Sequence, residues 1–251
     1  MLVLCDGMGR SGSTWSFNVA VKLLRSSDAS RRTFGFYDEN PGVVKAGIRP
    51  RASHLVIKSH TLDPSVQDLC CSGAVKAIYT WRNPYDVVAS SMRMFQLSAD
   101  NAVGMLRGAL RVWAFHRRTK SAHIVAYETI VTRPRVAIAQ IGDYLGLKTS
   151  PGDLLRITSE LSFENVKRLS QHVDELDPKR IIRKGRYIFD RETNLHQNHI
   201  RDGRTGYGAR LLEASCLDAI DEVLTEEGFG FLRGSGVRRL TNQPTPCWEH
   251  C

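Results

Sequence analysis

The sequence predicts an α/β fold with a single domain, in which a central parallel β-sheet is flanked by helices on both faces. Short apolar runs that suit buried strands alternate along the chain with stretches of helical periodicity. A glycine-rich loop separates the first apolar run from the first helical stretch. The chain length of 251 residues suits one core of good size. We expect the domain to span residues 1–232 and a tail to follow over residues 233–251.

The first apolar run and its loop carry the strongest local signal. Residues 2–4 suit a buried strand, and Gly7, Gly9 and Gly12 allow tight turns beside a bulky ligand. From Ser13 onward, apolar residues recur at spacings that a helix gathers on one face. A strand, a glycine loop and a helix in this order direct backbone N–H groups and a helix N-terminus at an anion. We therefore expect a phosphate group to bind here.

The loop nearly matches GxxxxGK[ST], the phosphate-binding motif of nucleoside triphosphatases. Residues 7–14 read GMGRSGST, so Ser13 stands where the motif has lysine, and Arg10 supplies a cation earlier in the loop. The missing lysine is the group that contacts the β- and γ-phosphates, which counts against triphosphate chemistry. An ordinary glycine-rich turn between a strand and a helix is the alternative interpretation.

Three further apolar runs predict strands over residues 54–60, 74–81 and 122–127. Helical spacing predicts a helix that begins at Pro84 and further helices over residues 101–120, 135–147, 153–169 (in two pieces) and 209–227. Two segments lack clear periodicity. Residues 31–53 are rich in turn formers and form either a binding loop or a surface insertion, and residues 170–208 are polar and basic.

Composition and charge limit the classes of function. Hydrophobic residues at 42% and charged residues at 24% describe a soluble globular protein. The net charge of +9 favours anionic ligands, but without a helix-turn-helix, zinc-finger or RNP pattern we expect no nucleic-acid partner. We expect no signal peptide before the first strand, and no apolar stretch in the sequence reaches the ~18–20 residues that cross a membrane. We expect a cytoplasmic protein without a membrane partner, and both a monomer and a homodimer fit the sequence.

The six cysteines lack the spacing of metal ligands, so free thiols and no bound metal are expected. Cys247, His250 and Cys251 form a small cluster in the tail, for which a metal site or a disulfide is the less favoured interpretation.

Polar residues follow the predicted strands where open α/β sheets bind ligands. Lys58 and His60 are two residues apart and would point to the same face of an extended strand. A lysine and an imidazole beside a phosphate loop can supply charge neutralisation and a base, although such a pair also occurs by accident on protein surfaces. Arg82 at the end of the next strand and Ser90 in the helix that follows could converge on one anion.

These segments together resemble the sulfotransferases that use 3'-phosphoadenosine 5'-phosphosulfate (PAPS). Residues 10–15, RSGSTW, are similar to that family's KSGTTW motif, and residues 58–60, KSH, match its K[TS]H strand end. Residues 82–90 match its RNPxDxxxS element. Residues 127–128, 162–167 and 201–206 correspond to its YE, SFExxK and RKGxxGDW elements. The match keeps its order over residues 2–230, so we identify the chain as a member with the P-loop-like sulfotransferase fold.

The resemblance implies that the chain binds PAPS and releases 3',5'-adenosine bisphosphate (PAP), with no metal required. Its cofactor-binding residues are then Arg10, Ser11, Gly12, Ser13, Thr14, Trp15, Arg82, Ser90, Tyr127, Ser162, Phe163, Arg201, Asp202 and Gly203. In this scheme the loop holds the 5'-phosphosulfate, Arg82 and Ser90 hold the 3'-phosphate, and Trp15 and Tyr127 lie near the adenine. His60 is the general base of an in-line transfer, and Lys58 and Arg10 steady the transferring group.

Three departures from the family pattern concern charge and the last loop. Arg10 replaces a lysine, so it can grip a phosphate by a bidentate fork instead of as a point charge. Asp202 replaces the lysine of RKG, and Tyr207 and Gly208 replace DW, which weakens the match of that loop.

The acceptor is the open question of the sequence. Loops 31–52, 92–104 and 170–200 are expected to shape its pocket, and the aromatic residues expected to contact it are Phe34, Phe36, Tyr37 and Phe95. We expect transfer to a hydroxyl, less readily to an amine, of a small metabolite or natural product. The basic stretch 179–204 leaves a glycan acceptor as the alternative. A P-loop kinase and a catalytically inactive nucleotide-binding module are the alternatives of another class, and the presence of both Lys58 and His60 counts against the module.

Overall fold

The computed structural model describes residues 1–28, 30–38, 53–185, 187–200 and 203–234. These residues form two compact units. The sheet unit comprises residues 1–82 and 108–203, and the small unit comprises residues 83–107 and the described residues from 204 onward. The domain boundary at residue 232 stays a prediction.

The sheet unit is built on five parallel strands, which confirms the predicted α/β fold. The strands are β1 (Leu2–Gly7), β2 (Arg32–Tyr37), β3 (Ser53–Lys58), β4 (Lys76–Trp81) and β5 (Ala122–Ala126). Their order across the sheet is β2-β3-β1-β4-β5. Four of them are the predicted strands, with β3 ending at Lys58 and β5 at Ala126.

Strand β2 corrects the prediction that residues 31–53 are irregular. It pairs in parallel with β3, from Arg32 opposite Ser53 to Tyr37 opposite Lys58. As an edge strand it buries only Thr33. Its sequence, RTFGFY, therefore lacks the continuous apolar run by which a central strand is recognised. Residues 39–52 of the predicted loop lie outside the described residues.

The helices confirm most of the predicted elements. In chain order they are α1 (Ser13–Ser27), α2 (Pro64–Cys71), α3 (Pro84–Phe95), α4 (Ala99–Thr119), α5 (Tyr127–Thr132), α6 (Pro134–Leu145), α7 (Pro151–Glu160), α8 (Phe163–Gln171) and α9 (Ala214–Glu226). The sequence predicts all of them except the short helices α2 and α5. As expected, the helical stretch after residue 151 breaks between α7 and α8, and Gly146 ends α6 with a φ of 73°.

Helices cover both faces of the sheet because the side chains of each strand alternate. Val3 and Cys5 of β1 point into the cluster formed with α1, α6 and α7. Leu4 between them points to the opposite face, where it packs with Val66 and Cys70 of α2. The carboxyl edge of the sheet is left to the loops that follow the strands.

A small antiparallel sheet interrupts the segment that the sequence predicts to lack pattern. Strands β6 (Ile181–Lys184) and β7 (Tyr187–Asp190) pair from Ile181 opposite Asp190 to Lys184 opposite Tyr187. Each strand has four residues, which is too short for alternation to stand out from the surrounding basic residues. No helix in the described part of the chain combines the length and the apolar character needed to span a membrane.

Gly35 provides a test of how α1 packs on β2. A Cβ atom at Gly35 would lie 2.6 Å from Cζ of Phe17 and 3.0 Å from Cγ2 of Val21. Phe17 is fully buried, so moving its ring away from an added Cβ costs packing free energy. We expect Gly35→Ala to lower the free energy of unfolding by about 1–3 kcal/mol, the usual cost of overpacking. Chemical denaturation followed by circular dichroism measures this change.

The matched control is Gly108→Ala in α4, where nothing lies within 4 Å of an added Cβ. That substitution is expected to stabilise the helix by about 0.5–1 kcal/mol. If the two variants were equally stable, the close approach of Phe17 to β2 would be wrong.

Candidate active site

Several of the predicted site residues lie at or just after the carboxyl edge of the five-stranded sheet. From β1 the chain builds one half of the sheet through β2 and β3, and then crosses to the other half at β4. β1 therefore lies at the point where the strand order reverses, which is where open α/β sheets bind ligands. The loop after Gly7, the residues after Lys58, and Arg82 after Trp81 all start from this edge.

The loop from β1 to α1 is held in an unusual backbone conformation. Arg10 has a φ of 65° and Gly12 a φ of 95°, both in the left-handed region. A non-glycine residue there is strained, and such strain is concentrated at functional sites. The fully buried Ser11 hydroxyl lies 2.7 Å from the carbonyl oxygen of Met8 and 2.9 Å from that of Thr80. The Ser11 side chain thus braces the loop against β4.

Helix α1 presents its N-terminus at the end of this loop. Within the described chain, no side chain caps the helix at Gly12 and its first turn contains no acidic residue. The first N–H groups of a helix lack partners inside the helix, so this end favours an anion. Ser13 and Thr14 begin α1, and their role in phosphate contact stays a prediction.

One arginine, Arg10, lies in the loop, and a second, Arg82, lies beside it. Nη1 of Arg82 donates to the carbonyl oxygen of Arg10 at 3.2 Å. The guanidinium of Arg82 also lies over the Tyr127 ring, 4.2 Å from its centroid. Arg82 therefore contacts two other residues that the sequence assigns to cofactor binding, Arg10 and Tyr127.

Lys58 and His60 lie side by side, as their spacing predicts. Nζ of Lys58 is 3.2 Å from Nε2 of His60. Nδ1 of His60 lies 2.9 Å from the carbonyl oxygen of Gly7. Because a carbonyl oxygen only accepts, Nδ1 carries the proton and Nε2 is the basic nitrogen. β3 ends at Lys58, so the pair forms by a turn after the strand and not along it.

Both groups have lowered pKa values. Burial lowers the pKa of Lys58 to about 8, against the opposing attraction of the buried Asp6 carboxylate. The protein packed around His60 lowers the pKa of its imidazole, and the Lys58 charge adds to the effect. His60 is nevertheless exposed at the edge of the sheet, where an acceptor could reach it. At neutral pH the pair is a neutral imidazole beside an ammonium group.

The predicted acceptor residues are dispersed. Tyr37 lies at the site, with its ring 6.3 Å from that of His60 and 4.8 Å from Nζ of Lys58. Phe36, the neighbour of Tyr37 on β2, instead packs against the core cluster around Leu4. Phe34 is 47% exposed. Phe95 ends α3 in the small unit.

Other predicted cofactor residues lie along α1 and α8. Trp15 is buried in the core and its Nε1 donates to the carbonyl oxygen of Leu161 at 3.0 Å. Ser162 caps α8 by accepting from the N–H of Asn165. A Cβ at Gly203 would lie 2.8 Å from the Phe163 ring, so these two residues are in contact.

The last predicted residues fall in the small unit or outside the described chain. Ser90 is buried in α3, and its role stays a prediction. Arg201 and Asp202 lie outside the described residues. Asp86 of the RNPxD element, to which the sequence assigns no role, accepts from three backbone N–H groups of residues 206–208, at 2.7, 2.9 and 2.6 Å.

Sequence reasoning missed a histidine pair at the site. His196 and His199 have ring centroids 5.2 Å apart, and His199 is bonded to Arg10. The only available signal is the HQNH spacing before residues 201–206, which the basic surroundings obscure.

No group of three or more metal-ligating side chains is found among the described residues. Cys5, Cys70, Cys71 and Cys216 are free thiols. The tail cluster of Cys247, His250 and Cys251 lies outside the described residues.

Comparison with known proteins agrees with the motif resemblance. The model of the sulfotransferase domain family matches residues 3–193, more than half of the chain. Sulfotransferase 2A2 of Rattus norvegicus is 23% identical over 256 residues, an alignment that covers 90% of this chain and 83% of that protein.

Solved structures share the fold. Retinol dehydratase in complex with retinol and PAP superposes with a TM-score of 0.61 at 18% identity. The alignment covers 90% of this chain and 80% of the retinol dehydratase chain. Mouse sulfotransferase SULT7A1 complexed with PAP has a TM-score of 0.62 at 15% identity, with 90% and 83% covered. The family match, together with this shared fold, shows that the protein is an enzyme of the sulfotransferase domain family.

Proposed function

We propose that this enzyme transfers the sulfuryl group of PAPS to a hydroxyl group of a small-molecule acceptor. The observation that carries the proposal is the contact of the His60 imidazole with the start of the glycine-rich loop and with the Lys58 ammonium. Nδ1 of His60 is bonded to Gly7 at the start of the loop, and Nε2 of His60 lies 3.2 Å from the Lys58 ammonium. The positive charge of Lys58 suits the negative charge of a phosphosulfate. The imidazole of His60 suits the proton that an acceptor hydroxyl must lose.

The residues of the loop suit the 5'-phosphosulfate end of PAPS. The guanidinium of Arg10 and the N–H groups of Ser13 and Thr14 at the uncapped start of α1 would hold it. Ser11 would act by bracing the loop, since its hydroxyl bonds the carbonyl oxygens of Met8 and Thr80.

Arg82 would bind the other end of PAPS, which carries the 3'-phosphate. In our proposal its fork holds the 3'-phosphate, the group by which PAPS differs from ATP. The Tyr127 ring packs against one face of the Arg82 guanidinium and would also contact the adenine of PAPS.

His60 and Lys58 would divide the chemistry between them. PAPS supplies an activated sulfuryl group, whose bond to the phosphate breaks as the acceptor oxygen bonds to sulfur. Nε2 of His60 takes the proton that the acceptor hydroxyl loses, because the bond to Gly7 keeps the proton of the neutral ring on Nδ1. Lys58 and Arg10 receive the negative charge that develops on the phosphate.

Tyr37 favours an acceptor with an apolar or aromatic body. Its ring is 39% exposed and lies beside both Lys58 and His60. Among the structures of similar fold, retinol dehydratase was solved with retinol, an alcohol with an apolar body. Retinol and simple phenols are therefore the first acceptors to screen, and a partly sulfated glycan is the contrasting one.

A thermal shift experiment tests the cofactor assignment. PAP at ~100 times its dissociation constant should stabilise the protein by about 2.7 kcal/mol, which such an assay detects. ATP with Mg²⁺ is the matched ligand, since it lacks the 3'-phosphate. Stabilisation by ATP alone would instead support a kinase and overturn our proposal.

The pH dependence of kcat/KM for PAPS is expected to have an alkaline limb. Lysine is positive only below its pKa, and the pKa of Lys58 is lowered to about 8. Activity should therefore fall as the pH rises above about 8, because the free enzyme loses this charge. Steady-state rates at constant ionic strength measure the profile. In Lys58→Arg, whose charge persists to much higher pH, the limb should disappear; an unchanged limb would exclude Lys58 as its source.

A further inference from the structure

A tightly held turn brings His199 to the phosphate-binding loop. The turn comprises residues 196–199, and the fully buried Ser170 of α8 holds it at three points. Oγ of Ser170 donates to the carbonyl oxygen of His196 at 2.9 Å and accepts from the N–H of His199 at 2.9 Å. The carbonyl oxygen of Ser170 accepts from the N–H of Asn198 at 2.8 Å.

The hairpin of β6 and β7 supports the same turn. The His196 ring stacks on Phe189 of β7, with ring centroids 5.0 Å apart, and the two residues form an isolated antiparallel bridge. Asn198 adopts the left-handed conformation, with a φ of 55°, which asparagine tolerates better than most residues. The position of His199 is therefore fixed from both sides of the turn.

His199 binds both ends of the Arg10 guanidinium. Nη2 of Arg10 donates to the carbonyl oxygen of His199 at 2.7 Å, and Nη1 donates to Nε2 of its ring. Arginine only donates, so Nε2 must be unprotonated. Burial and the adjacent Arg10 charge lower the pKa of His199 well below the ordinary histidine value, in keeping with this role.

Two acceptors on one residue fix the plane of the guanidinium as well as its position. The long side chain of Arg10 leaves a loop backbone with a φ of 65°, so these two acceptors limit where its guanidinium can lie. A lysine ammonium, which is a point charge, would gain less from a planar support. An arginine at position 10, where the family motif has lysine, is thus matched by the planar support that His199 provides.

We infer that His199 is a positioning residue that orients Arg10 for the 5'-phosphosulfate of PAPS. The inference rests on the proposed function, since it assigns the 5' end of the ligand to Arg10. His199 itself acts through Arg10, and misplacement of a binding group by about 1 Å costs up to ~10²-fold in a reaction that depends on it.

Paired ligands separate this role from a general loss of structure. PAP carries both phosphates, whereas adenosine 3'-phosphate lacks the 5' group that Arg10 would bind. In isothermal titration, His199→Ala should weaken the binding of PAP about ten- to a hundred-fold and leave that of adenosine 3'-phosphate within about threefold of wild type. His199→Gln, whose amide oxygen can accept in place of Nε2, should restore most of the affinity for PAP. His172→Ala, at a half-exposed histidine paired with Glu175, is the control and should change neither.

The Arg10→Lys background completes the test, because there the removal of His199 should have little further effect. An equal loss for both ligands, or the same loss with Arg10→Lys as without it, would overturn the inference and make His199 a structural residue. If His199→Ala does not fold, His199→Gln and the double variant with Arg10→Lys give the same comparison. Wild-type protein that bound neither ligand would overturn the proposed function first, and the inference with it.

Discussion

Replacing His60 by alanine is expected to lower kcat for an aliphatic alcohol acceptor by about 10²–10⁴-fold, the usual contribution of a general base. The reason lies in the hydrogen bonds of the ring. The carbonyl oxygen of Gly7 keeps the proton on Nδ1, and the Lys58 ammonium 3.2 Å from Nε2 disfavours a second proton. The ring is thus neutral at the pH of the assay and can accept the proton of the attacking hydroxyl.

The acidity of the acceptor distinguishes a base from a structural residue. A phenol that is fully ionised at neutral pH, such as 2,4-dinitrophenol, has no proton to lose, so the loss in His60→Ala should shrink to about tenfold or less. Stopped assays with both acceptors measure the ratio of the two losses. The fold should survive, because His60 is exposed and lies after the end of β3.

Equal losses with the alcohol and with the phenol would show that His60 acts by placing Lys58 or the loop and not by taking a proton. Activity within a few-fold of wild type with both acceptors would remove His60 from the mechanism altogether.

The arrangement of the loop after β1 and of the Lys58–His60 pair could be predicted from the sequence because its signals are local. The apolar run, the glycine-rich loop and the helical stretch follow one another directly in the sequence, and residues 7–15 adopt this arrangement. Lys58 and His60 are close in the chain and hence close in space.

Contacts between distant segments have no such signal. The pairing of β2 with β3 places Tyr37 beside Lys58, yet RTFGFY alone does not read as a strand. His199 reaches Arg10 across 189 positions of sequence, through a turn that depends on Ser170. Phe36 shows the converse, since its aromatic ring suggests a ligand contact but packs, partly buried, against the core cluster around Leu4.

Arg82→Ala is expected to weaken PAP binding by about 2–4 kcal/mol, or ~30- to ~700-fold, the cost of removing one partner from a buried charge-assisted contact. Adenosine 5'-phosphate lacks the 3' group, so its affinity should change by less than about threefold. Calorimetric titration of both ligands gives the ratio of the two effects. Arg82→Lys keeps the charge but loses the planar fork that lies over Tyr127, and should fall between wild type and alanine.

The comparison of ligands is needed because Arg82 also donates to the carbonyl oxygen of Arg10 at 3.2 Å. If Arg82 acted only by shaping the phosphate-binding loop, its loss would weaken adenosine 5'-phosphate as much as PAP, since both place a phosphate there. A selective loss of PAP would instead assign Arg82 to the 3'-phosphate. With Arg82 at one end of the ligand and Arg10 at the other, discrimination against ATP would then come from the end of β4, and orientation of the leaving phosphate from the loop after β1.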